Sequence, residues 1–501
     1  MFESILQGLM DALSLSSLLA NMMGTALGII FGALPGLTAA MGVALLIPLT
    51  FGMPPIDAFS ALLGMYCGAI YGGCITAILV GTPGTVSAAA TMLEGPSMTA
   101  RGEAMRALQM ATWASFFGGI FSAIALVTVA PLLAKAAMSF SAPEYFAVAV
   151  FGLTVVSSLS AGNMLKGAIS ACLGLFFATI GLDPITGDLR NTFDNPNLFS
   201  GLALVPVLVG LFAVSQVLVT IEDVFRGVTL KSGDIRTSKR LSLKDLKDNA
   251  FNFIRSSCIG TVIGIIPATG VSTAAFMAYG EAKRFSKNPE MFGKGAVDGI
   301  AATESSNNAV CGGALIPLLT LGVPGDIVTA IILGALMIQG LTPGPLLFVE
   351  HPVTVYGILA AFIIANFFML GLGLISIRGA GKIISIPGGV LMPIVITMCA
   401  VGGYAVNNNM FDLLIVAVFG VMGYLMLKCG IPQPPMLLAM ILAGIAESNF
   451  RRALSISQND YSIFYTSPVA MCIFAVSILV FLKPIYDSIR AARRGEDIAE
   501  D

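Results

Sequence analysis

Residues 71–85 read YGGCITAILVGTPGT, and residues 311–326 read CGGALIPLLTLGVPGD. In each stretch, an apolar run that follows a pair of glycines is broken by a Gly-x-Pro-Gly turn. The prolines of the two turns are 324 − 83 = 241 residues apart. Hydrophobic segments that Gly and Pro interrupt at corresponding places in two halves of a chain indicate a transporter whose broken helices form its binding site.

A second pair of motifs precedes the two turns in the same order. Gly32-Ala33-Leu34-Pro35 corresponds to Gly264-Ile265-Ile266-Pro267, which lies 267 − 35 = 232 residues later. Closer to the turns, Tyr71-Gly72-Gly73-Cys74 aligns with Cys311-Gly312-Gly313-Ala314. Because order and spacing are nearly preserved, we predict two repeats of inverted topology, each with a broken-helix, re-entrant hairpin.

The composition places the chain in a membrane. Of its 501 residues, 56% are hydrophobic and 11% are charged, and the mean hydropathy is +0.90. Soluble domains carry about 25% charged residues, so this composition excludes a soluble enzyme, a disordered protein and a nucleic-acid binder. Since one crossing takes about 20 apolar residues, we predict an all-α polytopic membrane protein with roughly ten to twelve spans.

The chain lacks the residue patterns of metal, redox and nucleotide chemistry. Its eight cysteines stand singly in apolar segments, and His351 is the only histidine. No Gly-x4-Gly-Lys-Ser/Thr motif for nucleoside triphosphates occurs in it. We therefore predict no enzymatic activity, no cofactor and no metal other than, at most, a sodium ion, and we expect an ion gradient to drive the function.

Candidate spans alternate with interrupted stretches along the chain. The spans are predicted near 17–34, 109–133, 144–161, 165–182, 201–220, 253–267, 354–376, 386–405, 411–428 and 466–483. The apolar stretches 35–93, 264–280 and 309–347 contain many Gly and Pro residues, and we interpret them as hairpins and half-helices.

The charge distribution divides the chain into four regions. We predict a first half over 1–221 that begins with an amphipathic interfacial helix, a basic linker over 222–252, a second half over 253–483 and a tail over 484–501. Lys and Arg residues are concentrated in the linker and near the tail. The positive-inside rule therefore predicts that the linker and the C-terminus are cytoplasmic.

Both turns lie in tracts without a fixed cation, because no Lys or Arg precedes Arg101 and none lies between Lys294 and Arg378. Helix N-termini, each with about half a positive charge, are then the available groups for an anionic substrate. We interpret each proline as part of the first turn of a half-helix. The predicted substrate-binding residues are Thr82, Pro83, Gly84, Thr85, Ser87, Ser306, Asn307, Asn308, Pro324 and Gly325.

The run from Glu304 to Asn308 is unusually polar for an apolar region, and polar groups at membrane depth usually have a function. The alternative is that these side chains only join helices. The predicted coupling-ion residues are Gly32, Pro35, Gly264, Pro267, Glu304 and Asp326. Glu94 is a further acidic candidate for the ion site. Each of these carboxylates can instead cap a helix. The sequence does not distinguish sodium from a proton as the coupling ion.

These motifs resemble those of the large membrane subunit of bacterial tripartite tricarboxylate transporters. The resemblance extends over nearly the whole chain, and its second-half motifs include Phe292-Gly293-Lys294-Gly295, Gly340 through Pro345, and Glu447 with Arg451-Arg452. One departure is Pro267-Ala268-Thr269-Gly270, where Ala268 replaces the glycine of a Pro-Gly-x-Gly pattern. An added methyl group restricts ligand approach there, so the first-half site is favoured.

The resemblance implies a secondary transporter of the bacterial inner membrane. Its expected partners are a periplasmic solute-binding protein, a small transmembrane subunit and membrane lipid, with no nucleic acid. The expected substrate is a di- or tricarboxylate such as citrate, taken up by symport with Na⁺ or H⁺. The alternative is a stand-alone secondary carboxylate transporter that needs no partner subunit.

Overall fold

The computed structural model describes residues 2–34, 37–158, 164–183, 186–225, 239–266, 271–380 and 388–494. Within them, regular structure is helical except for one antiparallel pair of two-residue strands, β1 (Gly181–Leu182) and β2 (Leu189–Arg190). The predicted all-α class is therefore confirmed for the part of the chain that is described.

The helices up to the basic linker are α1 (Phe2–Ala12), α2 (Leu15–Ala33), α3 (Ala39–Thr50), α4 (Pro55–Leu79), α5 (Gly95–Ala100), α6 (Ala104–Ala137), α7 (Ala142–Ser158), α8 (Met164–Ala178), α9 (Leu204–Leu208) and α10 (Ser215–Phe225). A 3₁₀ helix, Val86–Leu93, follows α4, and a π-helical segment, Val209–Val214, joins α9 to α10.

The helices after the linker are α11 (Leu243–Asp248), α12 (Ala250–Ile265), α13 (Val271–Phe285), α14 (Val297–Leu321), α15 (Ile327–Ile338), α16 (Leu347–Glu350), α17 (Pro352–Ser376), α18 (Gly388–Ala405), α19 (Met410–Lys428), α20 (Pro434–Ile456), α21 (Ile463–Thr466) and α22 (Pro468–Arg494). Short 3₁₀ helices lie at Pro196–Leu198, Pro289–Met291 and Ile377–Gly379.

Six of the described helices are long and apolar enough to cross a membrane, and shorter apolar helices accompany them. The six are α2, α4, α6, Leu204–Glu222, Pro352–Gly379 and α19. Each of the predicted spans coincides with a described helix or with the joined helices α9 and α10. The chain is thus a multi-pass membrane protein, and the total of ten to twelve crossings stays a prediction.

Two stretches that the sequence indicated as broken contain long uninterrupted helices. Helix α4 lies within 35–93 and helix α14 overlaps 309–347, and each has 25 residues. Within these two stretches the helices are therefore longer than half-helices, and the predicted re-entrant hairpins stay a prediction. The misleading residues are glycines, which in membrane helices permit close helix packing as often as they permit a break.

Helices α2 and α4 pack backbone to backbone through glycines spaced four residues apart. A Cβ on Gly24 would lie 2.1 Å from the carbonyl oxygen of Ala61, and one on Gly68 would lie 2.4 Å from that of Thr25. Such distances are below any normal contact, so only glycine fits. Because lipid chains are as apolar as the side chains, this van der Waals contact is a main source of helix association in a membrane.

Helices α12 and α14 pack in the same way. A Cβ on Gly260 would lie 2.2 Å from the carbonyl oxygen of Ser306, and one on Gly313 would lie 2.5 Å from that of Thr261. On its other side α14 contacts α6, where a Cβ on Gly118 would lie 2.0 Å from the carbonyl oxygen of Ser305. Helix α14 is consequently enclosed, and nearly all of its residues are buried.

Helices α4 and α14 run in opposite directions. Helix α17 is parallel to α4 and antiparallel to α6, and α6 is parallel to α14. The contacts that fix these directions are Ile56 with Gly357 and Tyr71 with Gly373 (α4 and α17), Thr112 with Gly373 and Gly119 with Asn366 (α6 and α17), and Gly118 with Ser305 and Ser122 with Gly312 (α6 and α14).

The predicted linker 222–252 is partly helical, because α10 reaches into it and α11 and the start of α12 lie within it. Its residues 226–238 lie outside the described residues. Asp245 of α11 accepts a hydrogen bond from Arg106 of α6 at 2.6 Å. Partial burial alone would raise the pKa of Asp245, but hydrogen bonds from Arg106 and Ser242 outweigh it and hold the pKa at about 2.

At the C-terminal end of the chain, α22 continues into the predicted tail as far as Arg494.

Candidate functional site

The first turn follows α4 directly. Gly81 adopts a left-handed conformation with φ +73°, which reverses the chain after the helix. The N–H of Gly84 then donates to the carbonyl oxygen of Gly73 at 3.2 Å. A Cβ on Gly84 would lie 2.0 Å from the carbonyl oxygen of Gly32, so the turn is pressed against the end of α2.

The second turn begins with a glycine in the same left-handed conformation. Gly322 has φ +72° and forms the C-cap of α14. A Cβ on Gly325 would lie 2.5 Å from the carbonyl oxygen of Gly264 and 2.6 Å from the Cα of Ala314. In each half, the turn glycine therefore meets the glycine of the earlier motif, as Gly84 meets Gly32. Pro35 and Pro267 lie outside the described residues.

The two halves match in a register that differs by one residue from the sequence alignment. Gly73 lies against Gly84, and Ala314 lies against Gly325. The residue of the second half that corresponds to Gly73 is therefore Ala314 and not Gly313. The turn residues Gly84 and Gly325 and the helix residues Gly73 and Ala314 are then each 241 residues apart. The alignment was wrong because it matched the glycine doublets, whereas the helix face that packs on the turn decides the equivalence.

Pro83 and Pro324 do not begin a helix. The N-cap residues are Thr85 for the 3₁₀ helix Val86–Leu93 and Asp326 for α15, so each proline lies two residues before its cap. The interpretation of the prolines as first-turn residues is therefore wrong. Their fixed φ instead restricts the short turn that leads into the cap.

The two helix N-termini differ in their caps. No side chain caps the 3₁₀ helix that begins after Thr85. Helix α15, in contrast, has a capping box in which Asp326 Oδ1 accepts from the N–H of Thr329 at 2.7 Å. Because the Asp326 carboxylate already occupies that N-terminus, its charge opposes an anion at the second turn.

The turns also differ in exposure. Residues 322–326 are buried, whereas Pro83 is exposed and Val86 is 75% exposed. The polar side chains at the first turn point inward, since Thr85 and Ser87 are buried and their hydroxyls lie 2.9 Å apart. The buried hydroxyl of Thr82 has no hydrogen-bond partner among the described residues.

One face of α14 carries polar groups without partners. Glu304, Asn307, Asn308 and Cys311 share this face because they are spaced by three, four and seven residues. Within the described part of the chain, Asn307 Oδ1 and both amide atoms of Asn308 lack a hydrogen-bond partner, as do the neighbouring hydroxyls of Ser305 and Ser306. Polar groups that only joined helices would be bonded to them, so these atoms are available to a ligand or an ion.

The 3₁₀ helix brings the first turn back to this face. Thr91 lies 3.0 Å from Thr303, and Glu94 accepts from Ala296 at 2.6 Å, so the 3₁₀ helix runs antiparallel to α14. The 3₁₀ helix therefore packs along α14, with Thr91 beside Thr303 and Glu304.

Glu304 is a buried carboxylate surrounded by neutral donors. It is fully buried and accepts hydrogen bonds from the hydroxyls of Thr91 and, at 3.3 Å, Ser115. The amide of Asn307 lies 3.5 Å from its Oε2. Among the described residues, no Lys or Arg is close enough to affect it. A carboxylate in such a place needs a cation or a proton to balance its charge.

Glu94, the other acidic candidate, caps the start of α14. Its two oxygens accept from the N–H groups of Gly293, Gly295 and Ala296 at 2.6 Å each and from the hydroxyl of Tyr279 at 2.8 Å. These four donors saturate the carboxylate. Glu94 therefore fixes the C-terminal end of the 3₁₀ helix to the start of α14.

Replacing Glu94 with alanine is expected to lower the melting temperature of the purified protein by several degrees. Each buried donor that loses its partner costs about 1–3 kcal/mol, and this substitution leaves two of them, the N–H groups of Gly295 and Ala296, besides the less buried donors of Gly293 and Tyr279. Glu103→Ala is the control, because Glu103 forms only partly exposed ion pairs that contribute little. Equal melting temperatures for the two variants in detergent would contradict the assigned role of Glu94.

Sequence reasoning missed Tyr66, Thr91 and Ser115 as site residues. Thr91 and Ser115 bind Glu304, and Tyr66 donates to Asp326 at 2.5 Å. A single threonine or serine in an apolar helix gives no signal in the sequence. Tyr66 gives one, because it precedes Asn307 by 307 − 66 = 241 residues, the spacing of the two turns.

A groove of about 480 Å³ lies elsewhere, between α6, α11 and α12. Its walls are almost entirely apolar, with Lys247 as the one charged lining residue in the described part of the chain. Its polar lining groups in the described part of the chain are Lys247 and the Ser257 side chain, and neither turn contributes to its lining. The polar site described above is closed in this conformation, with Thr85, Asn307 and Asn308 all buried.

Apolar helices long enough to cross a membrane, together with buried polar groups on α14 that have no partner among the described residues, define the class of this protein, a multi-pass membrane transporter. A sequence model of the tripartite tricarboxylate transporter TctA family matches residues 18–438. The chain belongs to this family, and it is a transporter and not an enzyme. The resemblance seen in the motifs is confirmed.

Two similar proteins are uncharacterised proteins of Agrobacterium vitis. A 52.8 kDa protein from the TAR-I ttuC' 3' region is 38% identical over 479 residues, which cover 95% of each chain. A protein from the TAR-II ttuC' 3' region is 36% identical over 242 residues, 48% of this chain and 100% of that protein. No solved structure matches this chain.

Proposed function

We propose that this chain takes up a di- or tricarboxylate such as citrate, driven by an ion gradient, as the large membrane subunit of a binding-protein-dependent tripartite system. Membership of the TctA family supports carboxylate transport. The observation that carries the proposal is the group of buried polar atoms on α14 that have no partner among the described residues, together with the helix N-terminus at the first turn that no side chain caps. Neutral donors of this kind bind an anion without a Lys or Arg.

The substrate site is proposed at the first turn. Thr82, Thr85 and Ser87 supply hydroxyls, and the first N–H groups of the 3₁₀ helix supply the positive end of its dipole. The amides of Asn307 and Asn308 bind the remaining carboxylate or hydroxyl oxygens. Pro324 and Gly325 belong to a turn whose N-terminus already carries the Asp326 carboxylate, so the second turn supports the site only through its shape.

The coupling-ion site is proposed at Glu304. Its carboxylate, the Asn307 carbonyl and the Thr91 hydroxyl are the oxygen ligands that sodium prefers, and the same carboxylate can carry a proton. The carbonyl oxygens of Gly32 and Gly264, which face the two turns, are further donors. One positive charge that moves across 100 mV releases about 2.3 kcal/mol, so net inward charge movement concentrates the substrate.

Alternating access is proposed to arise from two inverted repeats. The observations that support this are the opposite directions of α4 and α14 and the matching packing of Gly84 on Gly32 and Gly325 on Gly264. In such an arrangement one hairpin enters the membrane from each side, and rocking of one repeat against the other exposes the site alternately.

The partners are proposed to be a periplasmic solute-binding protein and a small transmembrane subunit, with the chain in the bacterial inner membrane and its C-terminus in the cytoplasm. The family consists of the large subunits of tripartite systems, which supports this assembly. The basic residues of α11, Lys244 and Lys247, support a cytoplasmic position for the linker.

Uptake by proteoliposomes tests the function. Radiolabelled carboxylates are supplied to vesicles that contain this chain with or without the other two subunits, under an imposed sodium or proton gradient. Accumulation that needs all three components and one of the two gradients supports the proposal. Accumulation by this chain alone supports the stand-alone alternative, and no carboxylate uptake under any condition contradicts both.

A further inference from the structure

Each turn begins with a glycine of positive φ, but the two turns differ in how they are linked to the opposite half. At the second turn, Asp326 Oδ2 accepts a hydrogen bond from the hydroxyl of Tyr66 on α4 at 2.5 Å. Its Oδ1 accepts from the N–H and the hydroxyl of Thr329, both at 2.7 Å. Both Tyr66 and Asp326 are buried. The carboxylate is thus satisfied by protein donors from both halves of the chain.

The equivalent link is missing at the first turn. A shift of 241 residues relates Tyr66 to Asn307 and Thr85 to Asp326 (307 − 66 and 326 − 85). Thr85 bonds Ser87 within its own turn, and Asn307 Oδ1 has no partner among the described residues. An asparagine is shorter than a tyrosine, so it leaves space where the tyrosine of the other half makes a bond.

The solvent exposure of the two turns agrees with this difference in hydrogen bonding. The second turn, with the bond from Tyr66, is buried over residues 322–326, whereas the first turn exposes Pro83 and Val86. The Cys311 thiol of α14 also contacts the Tyr66 hydroxyl, so Tyr66 lies between α14 and the second turn. A hydrogen bond to a carboxylate in a buried place is stronger than one between neutral groups.

We propose that Tyr66 is a positioning residue that holds the second turn closed through Asp326, and that this bond must break before the site opens on the side of the second turn. This inference rests on the proposed function. It assigns Asp326 to the closure of the turn, and it leaves Glu304 as the carboxylate available to the coupling ion. The first turn has no such bond and closes through its contacts with the ligand.

The test measures opening of the second turn directly. Val323, which is 2% exposed, is replaced by cysteine, and its modification by a membrane-impermeant maleimide is followed by mass spectrometry of the peptide that contains it. In the full-length protein in vesicles, Tyr66→Phe is expected to raise the rate of modification at residue 323 by about tenfold, because the lost bond to a charged group is among the stronger ones.

Tyr71→Phe is the matched control. Tyr71 lies on the same helix, is equally buried and loses the same hydroxyl, but its partners are Thr112 and the carbonyl of Gly373. This control should leave modification at residue 323 unchanged. Equal rates in the Tyr66→Phe and Tyr71→Phe backgrounds would overturn the proposal.

Hydrogen exchange provides a second measurement if the cysteine variant does not fold. The amides of residues 322–330 should exchange faster in Tyr66→Phe than in Tyr71→Phe, and equal exchange would also overturn the proposal. Neither measurement needs uptake. If Tyr66→Phe changes the rate of maleimide modification at residue 323 but the wild type takes up no carboxylate, only the proposed function is contradicted. If the wild type takes up carboxylate normally and the modification rate is unchanged in Tyr66→Phe, only the role of Tyr66 is contradicted.

Discussion

Replacing Gly84 with alanine is expected to abolish carboxylate uptake while leaving the protein in the membrane. The new Cβ would lie 2.0 Å from the carbonyl oxygen of Gly32 and 2.7 Å from Thr76 Oγ1. The carbonyl oxygen of Gly32 is a backbone atom that cannot rotate away, so the turn must move away from α2. Overpacking of this kind costs about 1–3 kcal/mol, enough to displace the turn without unfolding a large membrane protein.

Gly325→Ala is expected to reduce uptake as well, but by less. Its closest contact would be 2.5 Å, to the carbonyl oxygen of Gly264, and its turn is not the proposed anion site. Gly371→Ala is the control, since a Cβ there meets nothing within 4 Å. Uptake and membrane content are measured for all three variants in the reconstituted tripartite system. Normal uptake by Gly84→Ala would remove the first turn from the mechanism.

The second large effect is expected for Glu304→Gln. The amide keeps the shape of the side chain and one acceptor for Thr91, but it removes the charge that a coupling ion must balance. Gradient-driven accumulation should fall by about tenfold or more, equivalent to at least about 1.4 kcal/mol. Exchange of external for internal substrate at equal concentrations should continue, because it needs no net movement of the coupling ion.

Asp57→Asn is the matched control for this experiment. Asp57 is another buried carboxylate with a hydroxyl donor, Ser17, but it lies at the start of α4, away from both turns. It should keep both accumulation and exchange. If Glu304→Gln accumulates substrate like the wild type, the charge of Glu304 has no part in coupling. If it loses exchange as well as accumulation, Glu304 acts in substrate binding.

The difference between the two turns changes how an anion is bound. Two bare helix N-termini were expected to face a shared site, but α15 is capped by Asp326 and only the 3₁₀ helix after Thr85 is without a side-chain cap. A negative side chain at one N-terminus and none at the other orients an anionic substrate toward the first turn. This agrees with the preference for the first-half site that Ala268 suggested in the sequence.

The close approaches of the turns were predictable in part. The order of Gly32, Gly84, Gly264 and Gly325 along the chain indicated two equivalent breaks, and each turn glycine does lie against the earlier glycine of its half. The helix α4 was not predictable by the same reasoning. Its glycines resemble breaks in the sequence, but they face α2 at four-residue spacing and allow the backbones to touch.

The sequence by itself determined the environment, the all-helical class, the positions of the apolar helices and the absence of Lys and Arg around the turns, because these depend on composition and on local periodicity. Only the tertiary structure decided that Tyr66 bonds Asp326, that Glu94 caps α14, that Thr91 and Ser115 surround Glu304, and that Asn308 is left without a partner among the described residues. Each of these depends on contacts between residues far apart in the chain. Such contacts are set by how closely glycines let helices approach, and a local pattern cannot specify which distant side chain then comes within hydrogen-bond distance.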